Sequence, residues 1–196
     1  MSYAHTLSGG HPVLDFVNSV DDWTVAGAQD YLMTFDDAVR FGEATGLITR
    51  GEVTRLERTS AELASLKRLR ASLERILRAF LDERKAPPGD VETLRRGLVE
   101  AAQRTELRQD ENGLLSRRVA VESSGASLLR LRVVDAAVAL LSSDALRHVK
   151  ACPTCGWFFL DVSKNQSRVW CSMDTCGARA KARRYYRRTK RKRTRS

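Results

Sequence analysis

The chain has 196 residues, 42% hydrophobic and 30% charged, with 34 Lys and Arg against 24 Asp and Glu for a formal net charge of +10. That is enough chain for one cored domain plus a small appendage. The start, Met1 to Leu7, lacks the basic and apolar runs of an export signal, and the most apolar stretch, Val133 to Leu141, carries Asp135 and is too short to span a bilayer, so membrane and secreted readings are set aside.

In chain order, Ser8 to Pro12 reads as a loop, and Val13 to Asn18 is the first segment that must be buried. Its six residues fit a helix or a strand equally well. Thr34 to Gly46 predicts a helix, with Thr34 as cap, Asp36 and Asp37 in the first turn, Gly46 as stop, and Phe35, Ala38, Val39 and Gly42 on one face. Thr49 and Glu52 form a capping-box pattern that opens a long helical tract, one bent helix or two, with apolar positions from Val53 to Phe80 and an Arg/Glu-rich face toward solvent. Pro87-Pro88-Gly89 ends it. Asp90 is expected to cap the next helix, through about Arg104, with Val91, Leu94, Leu98 and Ala101 inward. Asn112-Gly113 predicts a β-hairpin between Glu106 and Val121. Leu128 to Leu141 then returns to helix, and 145 to 151 reads as a link. The fold class is therefore mainly α with a small β-hairpin.

All four cysteines fall in one C-terminal stretch, as Cys152-x2-Cys155 and Cys171-x4-Cys176 with fifteen residues between the pairs. Two short-range pairs present four thiolates to one ion, so Cys152, Cys155, Cys171 and Cys176 are expected to bind one structural Zn2+. A saturated thiolate shell leaves no open position for water, and no catalytic motif appears elsewhere, which argues against an enzyme. His148 reads as a bystander. Gly156 suits the left-handed turn of a knuckle, Trp157 to Leu160 reads as a strand, Lys164 to Ser167 as a turn, and Arg168 to Trp170 as the returning strand. A helix follows Cys176, giving a treble-clef-like finger whose aromatic residues Trp157, Phe159 and Trp170 pack its small core. The expected division is 1–145 helical domain, 146–188 finger, and 189–196 basic tail.

From Arg179 onward, eleven of eighteen residues are Lys or Arg and none is acidic, leaving 23 basic against 24 acidic residues in the rest of the chain. The whole positive surplus is a C-terminal block, whose ready partner is a phosphate backbone. Arg168, Arg179, Lys181, Arg183, Arg184, Arg187 and Arg188 are the expected phosphate contacts, with Lys164 and Asn165 at the turn as candidates for base edges. DNA is the first expected partner. RNA is the alternative, since such fingers with basic tails serve there equally well.

The stretch FLDVSKNQSRVWCSMDTCGARAKARRYYRR resembles the CGNR-type zinc finger of a family of bacterial transcription regulators. The likeness covers the cysteines, Asp161, Ser163, Asn165, Ser167-Arg168, Trp170 to Met173, Gly177, Arg179 and Lys181. It departs at Ala178, where the family has its eponymous Asn, and at Val169, where a basic residue is usual. The segment GGHPVLDFVNSVDDW resembles the opening of the ABATE domain that accompanies such fingers, with Ser19 for the usual Thr. Four cysteines used for metal point to a reducing cytoplasm, and the resemblance implies a regulator whose N-terminal domain senses a small-molecule effector or mediates homodimer formation. Asp15 and Asn18 are typical of that opening. Short polar residues in an apolar segment need hydrogen-bond partners, either a ligand in a pocket or the protein's own backbone.

Overall fold

The computed structural model describes residues 6–193; the side chains of residues 188 and 191–193 and the whole of residues 194–196 of the expected tail lie outside the described ones. Val13 to Asn18 resolves as a helix, α1 (Pro12–Val17). Pro12 pre-sets the first helical φ, and the His11 side chain accepts from the Val13 N–H at 3.2 Å. Helix α2 (Phe35–Ala44) has the expected box: Thr34 Oγ1 accepts from Asp37 N, and the Asp37 carboxylate accepts from Thr34 N at 2.7 Å.

The tract after Thr49 splits. The box at Thr49 and Glu52 forms, but α3 (Arg50–Val53) stops after one turn, because Leu56 drops into the core and Thr59 caps a new helix, α4 (Ser60–Leu81). The charged face of α4 is not uniformly solvated. Arg70 is buried in a bidentate pair with Asp30, both bonds 2.8 Å, and Glu62 is buried against Arg130. Helix α5 (Pro88–Gln103) begins three residues earlier than expected, with Pro87 rather than Asp90 at its cap. Asp90 therefore sits inside the first turn, and its carboxylate takes both arms of Arg75 at 2.6 and 2.8 Å. Val91, expected inward, faces out at 47% exposure.

Strands β1 (Thr105–Gln109) and β2 (Leu115–Val119) form the expected antiparallel hairpin, with Gly113 at φ 82° in its turn. Helix α6 (Leu128–Leu141) runs through the middle, packed against α1, α2, α4 and α5. Residues on nearly every side of it are buried, including Arg132, whose guanidinium is met by the Glu52 carboxylate at 2.7 and 2.8 Å and by the carbonyls of Val119 and Leu47. Burial of an arginine in this way demands that its donors be paired, and here they are.

A tight turn (Asp144–His148) leads to β3 (Val149–Ala151), which pairs with β4 (Phe158–Leu160) across the knuckle. This differs from the expected pairing of β4 with Arg168 to Trp170, which is not a strand. The cause is Asp161. Its carboxylate accepts from Ser163 N and Oγ, from Arg168 N at 3.0 Å and from Lys150 Nζ at 2.7 Å, so the chain turns sharply after β4 and the link segment takes the ladder position. A π-helical turn (Met173–Gly177), capped by Ser172, runs into α7 (Ala178–Arg193). Among the described residues no helix is long and apolar enough to cross a membrane.

Candidate metal centre and nucleic-acid interface

The knuckle brings Cys152 and Cys155 together, and the π-turn delivers Cys176 beside Cys171. Gly156 holds φ +73°, and a Cβ there would come within 3.0 Å of Trp23 Cβ, so both backbone conformation and space call for glycine. Its N–H donates to the Cys152 carbonyl at 2.9 Å. All four sulfurs are buried, unbridged by disulfides and within 4.8 Å of one another. Three of the separations are 3.6, 3.6 and 3.7 Å. A tetrahedron with Zn–S bonds of about 2.3 Å has edges of about 3.8 Å. The four cysteines thus fit one structural zinc ion. His148 is not among the clustered ligands.

Trp157, Phe159 and Trp170 pack around the sulfurs as expected of a small core. Phe158 faces the other way. Together with Val149 it belongs to the core of the helical body, so β3 and β4 are shared between finger and body across the expected border at residue 145.

The seam between them is hydrogen-bonded throughout. Asn18 brackets Phe158: its Nδ2 donates to the Phe158 carbonyl at 2.7 Å and its Oδ1 accepts from the Phe158 N–H at 2.9 Å. Trp157 Nε1 donates to the Val20 carbonyl, Trp23 N to the Cys155 carbonyl, and Arg78, stacked over the Phe158 ring at 4.6 Å, to the Gly156 carbonyl. Asp15 accepts from Gly9 N at 2.7 Å, which places Gly9 so that its carbonyl accepts from Leu160 N. Burial pushes the Asp15 carboxyl up to about 6, against the pull of the Gly9 and Ser8 N–H groups. Asp15 and Asn18 both make chain-to-chain bonds, with β4 lying against Asn18.

Replacing Asn18 with Ala is therefore expected to leave two buried backbone groups of Phe158 unpaired, at ~1–3 kcal/mol for each. Thermal denaturation in excess zinc reads this directly. An unchanged midpoint would mean that Asn18 does not hold the finger.

The basic residues divide. Arg168, expected on phosphate, is turned inward: its guanidinium stacks on Phe159 at 4.6 Å and donates to the carbonyls of Trp170, Ser8 and Cys171. It braces the finger, because the turn made by Asp161 points it back across its own loop. Lys164 and Asn165 are exposed on that turn, while Arg179, Lys181, Arg183, Arg184 and Arg187 are exposed along α7. Arg188 has a helical backbone, its side chain lying outside the described ones. Ala178, at the position of the family's Asn, is exposed as α7 begins. Sequence reasoning missed Lys150, whose ammonium holds the Asp161 carboxyl well below the usual range, and the seam residues Trp23 and Arg78. Nothing local in the sequence marks these, since their partners lie far along the chain.

Two family models match the chain. The CGNR zinc finger model covers residues 148–189. The ABATE model, described as "Putative stress-induced transcription regulator", covers residues 10–144. No curated protein matches the chain significantly.

Proposed function

Because the chain belongs to the ABATE family and ends in a CGNR zinc finger, we propose that it is a DNA-binding transcription regulator that grips duplex DNA with the finger and α7. The observation that carries this reading is the direction of α7. The helix leaves directly from the turn that holds Cys176, with Arg179 to Arg187 exposed along it. Sixteen residues make a rod of ~24 Å, long enough to lie in or across a groove. Lys164 and Asn165 on the finger's turn are the candidates for base edges, and the α7 arginines and lysines for phosphates. The helical body serves as effector sensor or dimer platform, and the working compartment is the cytoplasm.

A second reading has one observation in its favour. Tyr185 and Tyr186 are 62% and 72% exposed on this basic helix, and aromatic rings beside cations suit the stacking of unpaired bases. Gel shifts at two salt concentrations with random duplex DNA, the promoter of the protein's own operon and a structured RNA separate the two. Tighter binding to duplex, strongest on the promoter, is the expected result. Preference for the RNA over every duplex would replace the regulator with an RNA-binding protein.

A further inference from the structure

Away from the finger, α4 and α5 diverge over α6 to leave a cleft of about 700 Å³. This lies within the ~300–1,000 Å³ of ordinary small-molecule sites. Leu69 and Val134 give it an apolar floor, with Gly97 between the helices. A Cβ on Gly97 would approach Val134 Cγ2 to 2.8 Å, so the glycine lets α5 sit directly on α6 there.

The lining carries four guanidiniums, Arg68, Arg75, Arg96 and Arg130, against two carboxylates, Asp90 and Glu100. Both carboxylates are already matched. Asp90 holds Arg75 in a bidentate pair, and Glu100 pairs with Arg104 at 3.0 Å and with Arg130 at 3.0 and 3.2 Å, Arg130 also meeting Glu62 at 2.6 Å. The surplus rests on the other two arginines. Arg68 donates to the Ser65 hydroxyl at 2.9 Å and has no ion pair among the described residues. Arg96 shares Glu92 with Arg95, which takes that carboxylate in two shorter bonds. One arginine stands on α4 and the other on α5, on opposite walls of the cleft, Arg68 without an ion pair and Arg96 holding only a share of Glu92. Arg's planar fork suits an oxyanion bound by two parallel hydrogen bonds.

We propose that this cleft binds a small organic oxyanion, its carboxylate or phosphate between Arg68 and Arg96 and its apolar body against Leu69 and Val134. The proposal rests on the sensing role given to the helical body above and names its site and ligand class. Asp90 and Glu100 do not oppose it, since Arg75 neutralises the first and Arg130 and Arg104 together balance Glu100 and Glu62, which holds the cleft walls in place.

The test contains no nucleic acid, so its failure is distinct from failure of the DNA reading. Calorimetric titration of the zinc-loaded full chain uses phenylacetate, phenyl phosphate and, as the uncharged control, 2-phenylethanol. At least one anion is expected to bind saturably at about millimolar concentration or below, at least tenfold tighter than the alcohol. The better of the two anions identifies the headgroup. The double variant R68A/R96A, both positions exposed and outside the core, is expected to lose at least tenfold in affinity while keeping its zinc content and helical circular dichroism. R55A/R58A, two exposed arginines outside the cleft, serves as the matched loss of two charges and is expected to bind normally. Equal binding of anion and alcohol, no saturable binding of either anion, or unchanged affinity in R68A/R96A would each overturn the assignment.

Discussion

Chelating the zinc, or replacing Cys171 with Ser, is expected to unfold the finger and in the same step to weaken the helical body. Structural zinc contributes an apparent ~10–16 kcal/mol to folding in finger peptides near neutral pH, far more than so small an apolar core supplies. Without it the knuckle has no reason to hold its turn. The ladder of β3 with β4 then loses its register, and Phe158, fully buried in the body's core, loses its place. Removing a buried Phe side chain from a core costs ~3–5 kcal/mol. All three tryptophans of the chain, Trp23, Trp157 and Trp170, pack around the sulfurs, so their fluorescence reports the finger while far-ultraviolet circular dichroism reports the helices. The two signals should shift to lower temperature together on chelation and recover together on adding zinc. A helical transition that stays where it was would show that the finger is an independent bead.

The second large effect is expected from deleting Arg187 to Ser196, which removes seven of the eleven C-terminal basic residues and leaves the cysteines untouched. Every phosphate that the shortened chain no longer neutralises should flatten the plot of log affinity against log salt by about 0.9 for duplex DNA. If the intact chain neutralises about six to ten phosphates, its affinity falls ~10³ to 10⁵ fold between 50 and 200 mM salt. The shortened chain should fall far less steeply and bind more weakly at low salt. An identical slope would mean that the tail is only a solvated end and that any recognition lies on the finger's turn.

What could be seen in the sequence was local. Capping boxes at Thr34 and Thr49, the hairpin signalled by Asn112-Gly113 and the cysteine spacing each depend on residues within a few positions of one another, and all four form, the hairpin turning through Asp110 to Gly113 rather than on the Asn-Gly pair alone. What was missed depends on distant partners. The choice between one helix and two after Thr49, left open by the sequence, is made by Leu56 finding the core, and Asp90 is no cap because Arg75, on the preceding helix, claims it. The predicted returning strand fails because Asp161 gathers donors from Lys150, Ser163 and Arg168, taking from Arg168 the outward role its charge suggests. Asn18 stood out as a polar residue in an apolar run. That its partner is a backbone 140 positions on has no signature in the run itself.

The sharing of Phe158 and Val149 with the helical core makes this finger a poor transplant. Cut out at the border its cysteines suggest, it would carry two greasy residues into water, and the donor left behind would hold a hole the size of a benzyl group. A chimera that swaps the C-terminal part for that of a distant relative should fail to express in soluble form unless the stretch around α1 travels with it.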